Sequence, residues 1–326
     1  MILKILGTGS YLPPKIVTND DLSKQLDTSD EWIFSHTGIH ARHIAGDDDC
    51  TSTMAVKAAK AAMEAAGVTP EEIGLIIVAT SSPDYNTFPS TACLVQAALG
   101  CPSTGAYDLQ AACAGFVYAL DQARCWCKVN HTRKALVIGA ETLSRVVDWH
   151  DRSSCILFGD GAGAVVIGEA PGEPSQVETI LWSDGNGAEC ISREGGARKP
   201  HVLGTVAIPY LCLKGHDVFA FAVRSLSRVT KQLCDKVGLK TEELDRIFAH
   251  QANGRIIEAV ARRMKLPLER FYLNLVNTGN TSAASVPIAL DEAVRSGGLT
   301  DGMRIVLCGF GSGLTYAGTY MTWPNL

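Results

Sequence analysis

A cysteine, a histidine and an asparagine, each set beside an apolar run or among small residues, are the groups in this chain whose types and surroundings point to chemistry. Cys113 lies in Asp108-Leu-Gln-Ala-Ala-Cys113-Ala-Gly-Phe-Val-Tyr118, which reads as a short strand turning through small residues into a helix that opens at the cysteine. Unpaired N–H groups of a first helical turn stabilise negative charge on sulfur. That is the condition under which a thiol of pKa ~8.5 becomes a thiolate near neutral pH. A small cysteine between alanines is as often inert core, so its partners must decide. His250 opens His250-Gln-Ala-Asn253 directly after the apolar run 246–249. This places it at the carboxyl end of a strand, where open α/β sheets put their chemistry. Asn280 sits in Gly279-Asn280-Thr-Ser-Ala-Ala-Ser285, a turn of polar and small residues before a helix opened near Pro287. A lone histidine or turn asparagine is more often structural. Together with a thiolate nucleophile they suit acyl transfer coupled to carbanion formation, because two donors can hold a thioester enolate.

The elements that must position these groups alternate along the chain. Residues 2–7 form a first core strand, Thr51-Ser52 cap an Ala-rich helix running to Ala66 and stopped by Gly67, and residues 75–79 are a continuous apolar run. Such a run is expected of a parallel strand covered on both faces. A helix over 90–99, the strand before Cys113 and a buried strand over 134–139 follow. Residues 154–158, 159–163 and 164–167 read as strand, glycine turn and strand. The glycine turn lacks a Walker lysine and a following helix, so close backbone packing is expected there rather than phosphate binding. The second half repeats the order: a strand over 179–182, a long helix over 217–237, a strand over 246–249 and a helix over 255–264. Residues 304–313 followed by 314–321 echo 155–161 followed by 162–167, which points to an internal duplication. Pro171-Gly-Glu-Pro174 is the expected linker, dividing the chain into 1–170 with the cysteine and 171–326 with the histidine and asparagine. Residues 184–209 form the longest stretch without periodicity, expected to lie near a site.

Composition narrows the class. With 326 residues, 46% of them hydrophobic, the chain can bury a large core. It has no run of eighteen apolar residues and no signal-like N-terminus, so the expectation is a cytoplasmic protein without membrane association. Eleven scattered cysteines read as reduced thiols. A net charge of -5 argues against nucleic acid as a partner. His36, His40 and His43 superficially suggest metal ligands, but Thr37-Gly38 interrupts their helical face, and no metal is expected.

Taken together the motifs resemble the beta-ketoacyl-acyl-carrier-protein synthase III family of the thiolase superfamily over nearly the whole chain. Gly7-Thr-Gly-Ser-Tyr-Leu-Pro13, Asp27-Thr-Ser-Asp-Glu-Trp32, Ala111-Ala-Cys-Ala-Gly-Phe116, Phe158-Gly-Asp-Gly-Ala-Gly163, His250-Gln-Ala-Asn253 and Gly279-Asn-Thr-Ser-Ala-Ala-Ser285 carry the resemblance. It implies an α/β, thiolase-like αβαβα five-layer fold of two similar halves, a homodimer, and Cys113, His250 and Asn280 as the triad. By the same resemblance Cys113 takes an acyl group from acyl-CoA and malonyl-acyl-carrier protein enters second. Decarboxylation then makes the carbon nucleophile. His250 Nε2–H and the Asn280 amide hold the enolate. The N–H groups of Cys113 and of the Gly311-Ser312-Gly313 turn form an acyl oxyanion hole, with Phe310 as active-site wall. Thr28, Trp32, Arg152, Gly215, Phe219 and Asn253 are implied for CoA and pantetheine, with Trp32 and Arg152 sandwiching the adenine. Phe88 is the implied dimer-mate residue of the acyl pocket. No cofactor is implied, since both thioesters are substrates.

Two departures stand out: His36 where better-known members carry an arginine, and Ser312 in place of the middle glycine of a Gly-Gly-Gly turn. Arg255, Arg262, Arg263 and Lys265 give the helix over 255–265 a basic face suited to an acidic carrier protein, with Arg255 closest to the expected pantetheine entrance. The leading expectation is a condensing enzyme that initiates fatty acid synthesis. The alternative is a synthase III-like acyltransferase or condensing enzyme of specialised metabolism with an unusual acyl primer. A non-catalytic carrier-binding subunit is disfavoured by the presence of Cys113, His250 and Asn280 together.

Overall fold

The computed structural model describes every residue except Thr132 and 194–209. Two sheets organise it. The first takes β1 (Ile2–Tyr11), β2 (Ile73–Ala79), β3 (Gly105–Leu109), β4 (Lys134–Glu141) and β5 (Gly161–Ala170) in the order β1-β5-β4-β2-β3. The second takes β6 (Glu178–Ser183), β7 (Arg246–Ala249), β8 (Arg304–Gly311) and β9 (Thr315–Thr322) in the order β6-β9-β8-β7. Directions match: β5 is antiparallel to β1 and β4, as β9 is to β6 and β8, while β2 runs parallel to β4 as β7 does to β8. The second sheet is therefore the first without its β3 edge.

Helices fill three layers around these sheets. α1 (Asp30–Thr37) lies outside them at the edge of the site. α2 (Thr51–Ala66) and α3 (Thr91–Leu99) cover the outer face of the first sheet, where Ala58, Ala59 and Ala62 meet Ile76, Val78 and Ile138. α4 (Gly115–Val129) and α7 (Ser285–Arg295) lie between the sheets in one shared core with Ile77, Val137, Leu307 and Ala317. α5 (Gly215–Val237) and α6 (Gly254–Met264) cover the second sheet, packing Leu226, Val229 and Ile257 onto Val306 and Cys308. This is the five-layer arrangement that the resemblance implied. β2 is buried at all seven positions, as its continuous apolar run required.

Two local expectations need correction. Residues 152–155 form a helical turn rather than a strand, because the Asp151 carboxylate caps it by accepting from Ser153 N at 2.9 Å. Gly161 and Gly163 are not in a turn but open β5, pairing with β1 and β4. The expected close packing does hold there, since a Cβ on Gly163 would lie 2.6 Å from Ile288 N. The expected echo of the C-terminal strands holds for its second part, since 162–167 lie in β5, the counterpart of β9, but the counterpart of β8 is β4 rather than residues 155–161.

Candidate active site

Cys113 stands on a 3-10 turn, Ala112–Ala114, that feeds α4. Ala112 is left-handed at φ 48°, a conformation that costs a non-glycine residue energy and lifts the next side chain out of the strand line. The turn is pressed against β8 of the other half. A Cβ on Gly309 would lie 2.8 Å from Cys113 O, and one on Gly311 would lie 2.7 Å from Cys113 N, so only glycine fits at either strand position. The backbone at Gly311, Ser312 and Gly313 thereby comes beside the thiol, and all four residues line one cavity. Ser312 keeps its hydroxyl out of the way by donating to Ile191 O at 2.6 Å.

The histidine and asparagine come from the second half. His250 follows β7 and is buried, and its Nδ1 lies 2.7 Å from Ser285 Oγ at the start of α7. That hydroxyl also lies 2.8 Å from Ser282 O and receives the Gln251 N–H at 3.3 Å. Its single proton thus has two acceptors in reach. Turned to Nδ1, it leaves the ring proton on Nε2, which has no partner among the described residues. Asn280 is pinned at both ends of its backbone, by Asn280 N to Leu157 O at 2.8 Å and Gly159 N to Asn280 O at 3.0 Å. Its Oδ1 accepts from Ser282 N at 2.9 Å, so the amide orientation is fixed and the NH2 end is the free one.

Cys113, His250 and Asn280 meet on a cavity of about 520 Å³, together with Phe310, Ser312, Gly215, Phe219 and Asn253. Phe310 packs edge-on to Phe221 and tilted against the His250 ring, 5.3 Å between centroids. The described part of the aperiodic stretch also reaches it, through Ala188, Ile191, Ser192 and Arg193; the remainder lies outside the described residues. Thr28, Trp32 and Arg152 are not among the lining residues. Arg152 lies over the Trp32 ring at 4.7 Å and donates to Asp27 O, so an adenine could enter between them only if they part. Thr28 Oγ1 is buried without a partner. Asn253 caps α6 and holds His36 O at 3.2 Å. Phe88 is 82% exposed and outside the cavity of its own chain.

The basic face of α6 is weaker than its sequence reads. Glu258 sits within it, 3.0 Å from Arg255 and 3.8 Å from Arg262, and Arg255 Nε also donates to Ser35 O at 2.7 Å. The three N-terminal histidines are each spoken for separately: His36 Nδ1 lies on Trp32 O, His40 on Asp30 and His43 on Pro13 O.

Electrostatics overturn one expectation. Burial pushes the Cys113 thiol up to about 12 and the His250 imidazole down to about 3. Both shifts favour the neutral forms, against the thiolate expected from the helix end, and burial is their leading cause. The thiol proton has its own acceptor, Ser282 Oγ at 3.2 Å. Sequence reasoning gave no role to Ser282, Ser285 or Glu141. Glu141 ends β4 fully buried, with Ser81 N, Ser82 Oγ and Thr80 Oγ1 donating to it. The hydroxyls stood within a quoted motif, but nothing local could say what they touch.

Known proteins match the chain from end to end. The family description 3-oxoacyl-[acyl-carrier-protein (ACP)] synthase III fits residues 107–185 and its C-terminal counterpart fits residues 234–323. The beta-ketoacyl-[acyl-carrier-protein] synthase III of Xanthomonas campestris pv. campestris is 50% identical over 320 residues, 98% of each chain. The crystal structure of 3-oxoacyl-[acyl-carrier-protein] synthase III from Aquifex aeolicus superposes with a TM-score of 0.91 at 44% identity, covering 98% of this chain and all of that one. The priming beta-ketosynthase of the R1128 polyketide pathway superposes equally well, TM-score 0.91, at 35% identity over 99% of this chain and 97% of that one.

Proposed function

The chain belongs to the beta-ketoacyl-acyl-carrier-protein synthase III family, and from that premise we propose that its cavity joins an acyl-CoA primer to malonyl-acyl-carrier protein by decarboxylative Claisen condensation, the step that initiates fatty acid synthesis. The supporting observation is the convergence of Cys113, His250 and Asn280 on one cavity, with the free end of a pinned amide among them. Cys113 sulfur attacks the primer thioester, and the N–H groups of Cys113 and Ser312 hold the developing oxyanion. CoA leaves, and malonyl-carrier protein enters. The Asn280 NH2 and the His250 Nε2–H, the latter with Ser285 turned to Nδ1, hold the thioester oxygen as carbon dioxide departs and the enolate forms. Each such donor is worth about 3 kcal/mol to the transition state. The enolate carbon then displaces Cys113 sulfur. The electrons come from the bond to carbon dioxide, so the reaction calls for no cofactor.

Gly215, Phe219 and Asn253 are the pantetheine contacts in this reading, and Thr28, Trp32 and Arg152 the nucleotide contacts. Arg255 meets the carrier protein only by leaving Glu258. The exposed Phe88 supports a homodimer in which it closes the partner's acyl pocket. Eleven cysteines without a disulfide support a reducing, cytoplasmic compartment; no helix among the described residues is long and apolar enough to cross a membrane. The likeness to a polyketide priming enzyme favours one further reading, the same chemistry with an unusual primer in specialised metabolism. Incubation with a panel of acyl-CoAs, followed by intact mass and addition of malonyl-carrier protein, tests both. The proposal expects an adduct on Cys113 from a short primer, discharged by malonyl-carrier protein. An adduct formed only by an aromatic or long primer selects the second reading, and no adduct from any primer refutes both.

A further inference from the structure

The condensation needs somewhere to put the thiol proton while Cys113 carries an acyl group. His250 is poorly placed for that duty: it is fully buried, its Nδ1 is engaged by Ser285, and the enolate role requires a proton already on Nε2. The Cys113 S–H is directed elsewhere, to Ser282 Oγ at 3.2 Å. Ser282 is itself buried, left-handed at φ 48°, and fixed through its N–H by Asn280 Oδ1. Beyond it lies Glu141, with no exposure to solvent. The groups hydrogen-bonded to this carboxylate are neutral donors, Ser81 N at 3.0 and 3.1 Å, Ser82 Oγ at 2.5 Å and Thr80 Oγ1 at 3.3 Å, and the Ser282 hydroxyl and Ala283 N–H of the second half stand near enough to favour its charged form. Among the described residues no cation forms an ion pair with it. The titratable side chain electrostatically coupled to it is Cys113, whose thiol its charge helps to keep protonated.

We infer that Glu141 stores the Cys113 proton during the acyl-enzyme stage, with the Ser282 hydroxyl as the relay between them. This rests on the condensation proposed above. As sulfur bonds to the acyl carbon, the thiol proton passes to Ser282 Oγ and the Ser282 proton passes to Glu141. The carbon–sulfur bond to CoA breaks with its electron pair on CoA, which takes a proton from solvent. In the second half, the electron pair released by loss of carbon dioxide forms the new carbon–carbon bond. The bond to Cys113 then breaks with its pair on sulfur, and the proton returns from Glu141 through Ser282. Each turnover consumes one solvent proton, as the overall reaction demands. Burial supports the assignment, since it raises the carboxyl above the usual range and so lets it hold a proton.

The test follows single-turnover release of CoA from acyl-CoA between pH 6.5 and 8.5, beside alkylation of Cys113 by iodoacetamide. Parent acylation should be nearly level with pH. Glu141→Gln, which keeps the shape and loses the proton store, should acylate about a hundredfold more slowly at pH 6.5 and regain rate as pH rises. The same variant should be alkylated no more slowly than the parent, because the charge that opposes a thiolate is gone. A purely structural role predicts that both reactions fall together, and that outcome overturns the inference, as does unchanged acylation. Ser282→Ala leaves Glu141 in place and should show the same pH-dependent loss; it decides the matter if the Glu141 variant does not fold. Failure of the parent to acylate at all would instead refute the condensation reading.

Discussion

The turn that carries Cys113 and the turn that follows Asn280 stand at equivalent places in the two halves, and both open on a left-handed residue at φ 48°, Ala112 and Ser282. Each leads through a 3-10 turn into one of the two central helices. Gln110 and Asn280, Cys113 and Ala283, Gly139 and Gly309, and Glu141 and Gly311 all keep the same separation along the chain. Each turn crosses to the other half's central strand, where a glycine makes room: a Cβ on Gly139 would lie 2.2 Å from Ala283 O, as one on Gly309 would lie 2.8 Å from Cys113 O. Two positions further on, the strands differ. Gly311 lets backbone reach the thiol, whereas Glu141 sets a carboxylate beside Ser282 and Ala283. The backbone device is thus common to both turns and does not by itself make a nucleophile. What the opposite half lends to each turn decides its chemistry.

The comparison breaks most sharply by moving the thiol. Cys113→Ala should abolish the acyl adduct in intact-protein mass spectra, and adding Ala283→Cys to it should not restore one, because Ala283 is fully buried beneath Gly139. An adduct at position 283 would mean that the turn alone suffices.

Asn280→Ala removes the pinned amide of the second turn. Acylation of Cys113 should persist while malonyl decarboxylation falls about 100- to 1,000-fold, since the amide acts at the enolate. Equal losses in both half-reactions would contradict that division.

The burial of the first turn sets its pH response. With the thiol near 12, iodoacetamide should modify Cys113 slowly at pH 7 and about tenfold faster per pH unit above it, after the exposed Cys93, Cys125 and Cys212. Rapid labelling of Cys113 at pH 7 would restore the thiolate expected from the helix end. His250 adds a stability term of known sign. Its imidazole protonates near 3 when folded and near 6.5 when unfolded, so the unfolded chain binds more protons between these values. Stability should therefore fall as pH drops from 6.5 toward 3, and His250→Gln should flatten that fall in urea titrations.

The smallest effect concerns the two glycines. Gly139→Ala and Gly309→Ala should each destabilise by about 1–3 kcal/mol, the first more because its backbone contact is closer. Reversal of that order would show that the two crossings are not equivalent.

Much of this was legible in the chain. Apolar runs such as 75–79 located the buried strands, and the motifs around Cys113, His250 and Asn280 pointed to one site, because strand ends and helix starts are local features of the backbone. The glycine-rich stretch after Phe158 misled, since glycines that relieve packing against α7 look the same in sequence as glycines that turn a chain. The charge state of Cys113 misled for a related reason. A helix end is visible from neighbouring residues, but the groups that crowd the cysteine come from Gly309, Gly311 and Ser282, far along the chain.

Residue types and local spacing were enough to show which side chains can react, where most strands and helices run, and that two similar halves follow one another. The packing of the two halves was needed to show that burial favours a neutral thiol and imidazole, that Ser285 meets Nδ1 of His250, and that Glu141 stands near Ser282. Those properties depend on desolvation and on hydrogen bonds made across the interface of the two halves, and neither is encoded in the spacing of any one segment.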